Sequence, residues 1–577
     1  MICLKKILHY LKPYIFLIML VIIFIFIQVK VDLLLPEYVS KIVDEGVINS
    51  DTAYIINMGI RMILLAFLGM LALIIGNYFA ALVACAFAKD LRTAVYEKIE
   101  KFSLNEMNKF GVSSLITRTT NDITQMQNFL FMFLSMIIMA PILGVGAISQ
   151  VLKTNASMLW IISICLAATL VLIITLFVIA VPKFKKIQKL IDKLNLVSRE
   201  HLTGLKVIKA FSNEDYQEEK FDKSNKSLTK IQVFVDRLMG MLDPALSLIM
   251  NISAILIIWF GSHFIESGTL QIGEMMAFMQ YAMQMMIAFV MITMVFVMWP
   301  RASVSAKRIA EVLTERLDIK DGKDILNTKT CLGKISFCDV SFRYRDADKY
   351  VLQNISFDAE PGTTTAFIGS TGSGKSTLIN LIPRFYDATD GKILIDGKDI
   401  KNLSLKSLRS IMGYVPQKGI LFSGTIKENI SFGKRLSDKQ LKEVAKISQS
   451  IDFITKKDNK FAARVAQKGS NFSGGQKQRL SIARALAKDP KILIFDDSFS
   501  ALDFKTDAKL RNALNNTTKS KTILIVAQRI NTIKNANQII VLDQGKIAGI
   551  GTHNELIKTC AIYKEIVLSQ LGEEGLK

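Results

Sequence analysis

The chain has 577 residues, half of them hydrophobic, with a mean hydropathy of +0.33 and a formal net charge of +22. Such a composition is too apolar for a soluble multidomain enzyme and too charged for a protein lying wholly in a membrane, so two unlike halves are expected.

Six apolar stretches occupy the first half, at roughly 14–35, 62–88, 129–149, 158–181, 242–262 and 275–299. Each is long enough to cross about 30 Å of hydrocarbon as a helix rising about 1.5 Å per residue. Buried helices of a soluble protein seldom supply so many nearly uncharged runs together. Lys5 and Lys6 before the first run suggest a secretory leader, but the run is long and no small-residue cleavage site follows, so it reads as a retained span.

Loop charge orients the spans, because Lys and Arg concentrate on the cytoplasmic side. Pro182 to Arg237 carries 13 basic against 8 acidic residues, and Lys89 to Asn128 is also long and basic; both are expected in the cytoplasm. The loop from Asp32 to Asn57 holds Asp32, Glu37, Asp44, Glu45 and Asp51 against Lys41 alone, and His263 to Glu274 has no Lys or Arg; both are expected outside. Six crossings then leave both termini in the cytoplasm. The basic surplus follows this topology and faces anionic lipid, which argues against a nucleic-acid partner.

Of the six cysteines, Cys85 and Cys165 lie in or beside spans, Cys331, Cys338 and Cys560 in the second half, and Cys3 at the cytoplasmic end. With no cysteine in an outward loop and no CxxC spacing, neither disulfides nor a metal site is indicated. The cytoplasmic segments Asp90 to Phe102 and Phe184 to Phe221 show helical spacing without internal proline, so they are expected to extend the spans. Their tips, near Phe110 to Asp122 and Gly204 to Tyr216, are where another domain could be gripped.

Two features of the later spans bear on cargo. Nine methionines fall between Met275 and Met298, with Phe278, Phe289, Phe296 and Trp299. Such polarizable side chains repack around varied apolar molecules, and lipid-facing packing explains the stripe equally well. Asp243, beside Pro244, is either a costly polar contact inside the fifth span or a solvated boundary residue, the second being the more ordinary reading.

After Trp299-Pro300 a charged helical linker (Ala302 to Arg316) leads to the alternating pattern Lys334 to Phe342, which opens an α/β domain. There, Gly369-Ser370-Thr371-Gly372-Ser373-Gly374-Lys375-Ser376-Thr377 follows an apolar strand and opens a helix, the context of a phosphate-binding P-loop. Glycines let the backbone wrap closely, Lys375 adds charge at the β/γ phosphates and the Ser376 hydroxyl can ligate Mg²⁺. Asp496, at the end of a second apolar strand, is the matching metal-holding acid. Ser473-Gly474-Gly475-Gln476 precedes another helix; it is either a plain N-cap or a second phosphate surface serving a different nucleotide.

The P-loop, Gln417 in Tyr414-Val415-Pro416-Gln417, Phe472 to Gln476, Asp496, and Ser500-Ala501-Leu502-Asp503 resemble ABC transporter nucleotide-binding domains in order and spacing. The preceding spans resemble the exporter type of membrane domain. The resemblance implies a half-transporter in the bacterial cell membrane that works as a dimer with two ATPs sandwiched between domains, each site joining one chain's P-loop to the other's signature. It also implies that Tyr344 stacks on adenine, that Gln417 reaches Mg²⁺ and the attacking water, that Asp503 crosses the interface, and that the loop tips relay closure to the membrane. The expected architecture is a six-helix α transmembrane domain with long cytoplasmic extensions (1–301), a linker (302–333) and an α/β P-loop ABC nucleotide-binding domain (334–577).

The departures from that family pattern are specific. Asp497 stands where related ATPases usually carry a catalytic Glu, and Gln528 where they carry His; Gln467 replaces an acid frequent before the signature. A base displaced by about 1 Å can lose on the order of a hundredfold in rate, and an amide cannot become a cation. The remaining histidines are His9, His201, His263 and His553, the last in a tail read as structural. The expectation is an ATP-binding but slow site, paired with a different half-transporter carrying Glu and His, as in heterodimeric multidrug-type exporters, moving hydrophobic or amphiphilic compounds outward. The alternatives are a homodimeric lipid or drug exporter with slow ATPase, and a regulatory ATP-gated subunit.

Overall fold

A computed structural model describes residues 7–154, 158–345, 347–517 and 520–573, with the side chains of 296, 297 and 515–517 left out. Cys3, Lys5, Lys6 and the Phe296 side chain lie outside the described residues. The chain divides into two compact units, one of residues 1–100 and 112–315, the other of 101–111 and 316–577.

In the first unit, six helical stretches among the described residues are long and apolar enough to cross a membrane. They are α1 (Ile15–Lys41), α2 (Thr52–Glu100), the third stretch Val112–Thr154, α5 (Leu159–Ala210), the stretch Glu214–Glu266 made of α6 (Glu214–Gly240) and α7 (Leu242–Glu266), and α8 (Ile272–Thr314). The short helix α3 (Leu104–Phe110) precedes the third stretch, whose last segment is α4 (Met139–Thr154).

The outer loop is shorter than its charges suggested, because α1 runs past Asp32 and Pro36 to Lys41. Proline lacks the N–H that would bond the carbonyl four residues back. Here the Gln284 Nε2 donates to that Asp32 carbonyl at 2.9 Å, and the Tyr281 hydroxyl donates to the Leu33 carbonyl at 3.1 Å. Asp32 therefore sits inside the helix instead of in a loop.

The third stretch contains two wide π turns, Arg118–Asp122 and Phe133–Ile137, a form of local widening that often accompanies functional positions. The first turn is tied to α8: Arg118 pairs with Glu311 at 2.8 Å, and buried Asp122 accepts from Ser305 at 3.0 Å and faces Arg308 at 3.3 Å. The α8 helix continues through Pro300 to Thr314, so most of the expected linker helix is the end of the sixth span.

The first loop tip is corrected. It is α3, residues 104–110, and residues 112–122 already belong to the third membrane stretch. Ser103 and Glu106 form a capping box that starts α3, and Gly111 at φ +73° ends it. Buried Glu106 also accepts the Asp318 N–H at 2.6 Å, while Asn105 donates to the Asp318 carboxylate at 3.1 Å. These contacts place 101–111 in the second unit. The second tip is a tight turn at 211–213, where Phe211 and Val207 are exposed.

The second unit carries two main sheets. One has the order β2-β1-β4-β5, from β1 (Ile335–Phe342), β2 (Leu352–Ala359), β4 (Asp390–Ile395) and β5 (Lys398–Asp399). The other has the order β12-β11-β3-β10-β9-β6, from β3 (Thr364–Gly369), β6 (Met412–Val415), β9 (Ile492–Asp496), β10 (Thr522–Val526), β11 (Gln538–Asp543) and β12 (Lys546–Gly551). All pairs from β11 to β6 are parallel, and β9 and β10 are buried along their whole length. Continuous apolar strands of this kind need cover on both faces. A two-stranded ribbon pairs β7 (Gly424–Thr425) with β8 (Arg464–Val465).

Candidate nucleotide site

The sheet order explains why four distant motifs meet. The strands β3, β10, β9 and β6 are neighbours and parallel, so their carboxyl ends deliver the P-loop, Gln528, Asp496-Asp497 and Gln417 to one edge. That edge frames a cavity of about 860 Å³.

Backbone shape makes the P-loop. Gly374 has φ +96° at the mouth of α9 (Lys375–Leu381), and a Cβ on Gly369 would stand 2.0 Å from the Leu542 carbonyl oxygen. Only glycine fits either position. Gly369, Ser370, Thr371, Gly372, Gly374, Lys375, Ser376 and Thr377 line the cavity. Ser373 lies behind them, with its hydroxyl 3.3 Å from the Lys375 ammonium. That ammonium also donates to the Gly369 and Ser370 carbonyls at 2.9 and 2.6 Å, across the loop where phosphate charge would be met. Burial holds the Lys375 pKa below the usual lysine value, against the pull of Asp497 and Asp496.

The two acids stand behind the wall. Ser376 donates to Asp496 Oδ1 at 2.9 Å, and the Tyr414 hydroxyl lies 3.5 Å from Oδ2. Asp497 takes the left-handed φ of +45°, which aspartate tolerates better than most residues. Its Oδ2 accepts both Gln528 Nε2 at 2.8 Å and Gln417 Nε2 at 3.2 Å. The two amides line the cavity, whereas Asp496 and Asp497 do not; both acids are only 6% exposed. Burial raises both carboxyl pKa values above their ordinary value, partly countered by hydrogen bonds from Ser376 and Tyr414 at Asp496 and from Gln417 and Ser500 at Asp497.

Other expected residues separate from the cavity. Tyr344 packs edge-on against Phe342 and Tyr386, with its hydroxyl 2.9 Å from Thr377 Oγ1, and it does not line the cavity. Ser473, Gly474, Gly475 and Gln476 begin α10 (Gly474–Ala487) as a capping box, away from this chain's own P-loop cavity. Asp503 caps α11 (Phe504–Thr517) through the Thr506 N–H at 2.8 Å. His553 is bonded to the Tyr563 hydroxyl at 2.8 Å, well inside the tail.

One residue escaped the sequence reading. Gln570, on the terminal helix α13 (Ala561–Leu571), donates to the Gln528 carbonyl at 2.7 Å and accepts the Ile530 N–H at 2.9 Å at the start of α12 (Ile530–Ile533). It brackets the backbone that carries Gln528, and with Ile566 and Ser569 it forms one wall of the cavity. Nothing in a lone tail glutamine signals this; only the packing of α13 does.

Comparison with known proteins agrees with this geometry. Residues 17–289 match the family described as ABC transporter transmembrane region, and 352–500 match ABC transporter. An uncharacterized ABC transporter ATP-binding protein of Bacillus subtilis (strain 168) is 38% identical over 572 residues, covering 99% of both chains. A protein of Staphylococcus aureus (strain NCTC 8325 / PS 47), provisionally named for multidrug export, is 32% identical over 97% of this chain and 99% of its own. A bacterial Atm1-family ABC exporter solved with ATP bound superposes with a TM-score of 0.80 at 25% identity, covering 96% of this chain and 98% of its own. The chain belongs to the ABC transporter family, as a multi-pass bacterial plasma-membrane half-transporter whose cytoplasmic domain binds ATP and couples its hydrolysis to export.

Proposed function

We infer that this chain is the slow-site subunit of a two-chain exporter: it holds one ATP·Mg²⁺ for long periods and lends its signature to a partner's faster site. The observation that carries this reading is the position of Asp497, set back from the cavity with one carboxylate oxygen engaged by two amides. A general base has to reach the water it activates. Here a short acid is held by Gln417 and Gln528, which line the cavity where it does not, and among the described residues no imidazole stands beside them. The binding parts are intact: Lys375 lies across the P-loop, and Ser376, Asp496 and Gln417 offer the oxygen ligands that Mg²⁺ takes alongside phosphate and water.

The Ser473 to Gln476 cap supports a productive site elsewhere, since it does not line this chain's own cavity. A partner with Glu and His at the matching positions completes such a pair. The exposed side chains of Phe211, at the turn 211–213, and Val207, one helical turn before it, are suited to that partner's surface. The methionine-rich sixth span suits hydrophobic and amphiphilic cargo. Purification tests the assignment: the chain alone should bind ATP and hydrolyse it very slowly, while brisk hydrolysis by a verified homodimer, abolished by Lys375→Ala, overturns it.

A further inference from the structure

The methionine stripe of α8 and the carboxylate at the start of α7, separate features in the sequence, meet in one cavity. It measures about 350 Å³ and lies wholly within the membrane unit. Met136, Met250, Met286, Met291 and Met294 line it, and Asp243 is the single charged group among the lining residues. The Asp243 side chain is exposed, and among the described residues it has no hydrogen bond or ion pair. It stands in the first turn of α7.

This carboxylate shares its cavity wall with thioether and alkyl groups, and no cationic side chain is among the described lining residues. Neutral apolar cargo would leave it so, and an anion would be repelled. A compact cation wrapped in apolar groups satisfies both parts of the wall: the charge meets Asp243, and the polarizable sulfurs adapt to the hydrocarbon around it. The volume falls at the small end of small-molecule sites, which run from about 300 to 1,000 Å³. We propose that this cavity binds compact lipophilic cations, with Asp243 recognising their charge. The proposal rests on the hydrophobic-cargo reading above and narrows it to one charge class.

Tetraphenylphosphonium and tetraphenylborate share a shape and differ in the sign of their charge, so they isolate the role of Asp243. Binding of each is measured on the purified full-length chain in its assembled dimer. Tetraphenylphosphonium affinity should fall at least about tenfold in Asp243→Asn, persist in Asp243→Glu, and exceed that of tetraphenylborate on the natural chain. Ser247→Lys keeps Asp243 but supplies an internal cation one turn away, and should cause the same loss. Unchanged thermal unfolding and ATP binding in each variant establish that it is folded. Equal affinity for the two ions, or undiminished phosphonium binding in both Asp243→Asn and Ser247→Lys, overturns the proposal. Uptake into inside-out vesicles separates it from the cargo reading. Asp243-dependent binding without ATP-driven accumulation retires the cargo reading and supports the site; accumulation of phosphonium untouched by Asp243→Asn supports the cargo reading and retires the site.

Discussion

Gln528 donates its side-chain amide to Asp497 Oδ2 at 2.8 Å, across 31 residues of sequence and one strand of the sheet. The two residues expected to depart from the family's hydrolytic pattern are therefore partners. Gln417 shares the same oxygen at 3.2 Å, so Asp497 is held by neutral donors on the side that faces the nucleotide cavity.

Holding a buried carboxylate costs stability. Burial raises the Asp497 pKa, so the folded domain keeps this proton at a pH where the unfolded chain has released it. The group's contribution is unfavourable above its folded pKa and improves as pH falls toward the ordinary carboxylate range. Asp497→Asn keeps an acceptor for both amides and tolerates the left-handed backbone. It should stabilise the ATP-free protein by about 1 kcal/mol near neutral pH. Thermal unfolding at a series of pH values checks this, and the gain over the natural chain should shrink as pH falls.

Gln570 fixes the segment that carries Gln528 through two hydrogen bonds of 2.7 and 2.9 Å. Gln570→Met keeps the bulk and removes both, at about 0.5–1.5 kcal/mol each. The Gln528 segment should loosen, and ATP should leave this chain's site several-fold faster. Stopped-flow release of a fluorescent ATP analogue measures the effect; an unchanged release rate with lowered thermal stability means that Gln570 serves packing alone.

Glu106 is 1% exposed and accepts from Ser103 and from the Asp318 N–H at 2.6 Å. Burial opposes its charge, but these hydrogen bonds prevail and its pKa lies below the usual glutamate value. Its contribution is present above the unfolded pKa and is lost as pH falls through the lowered folded value. Glu106→Ala removes the N3 half of the α3 capping box and orphans the Asp318 N–H, a cost of about 1–3 kcal/mol. Substrate stimulation of ATP hydrolysis should weaken, while basal ATP binding persists; parallel stimulation and binding assays on the assembled dimer decide it.

Much of this was legible because some motifs are local. The P-loop is nine consecutive residues whose glycines and lysine declare their chemistry, and Asp496-Asp497 ends a strand written as uninterrupted apolar residues. Other relationships are tertiary and left no local mark. Gln570 meets the Gln528 backbone only because α13 folds across the domain. Asp32 and Pro36 look like loop residues until Gln284 satisfies the Asp32 carbonyl that Pro36 leaves unbonded and Tyr281 bonds the neighbouring Leu33 carbonyl. The first loop tip was placed too late because a capping box of two polar residues, Ser103 and Glu106, is a weaker signal than the charge run around it. The resemblance alone implies that Tyr344 stacks on adenine; its hydroxyl lies 2.9 Å from Thr377 Oγ1.

We propose that Asp497 and Gln528 together hold this chain's site in a state that binds ATP and scarcely splits it. The most direct measurement is single-turnover hydrolysis at this site, in a dimer whose partner P-loop lysine has been replaced by alanine. Asp497→Glu combined with Gln528→His should raise that rate by about a hundredfold or more, with ATP affinity little changed. Brisk hydrolysis by the natural chain in that dimer, or no rise in the double variant, contradicts the account.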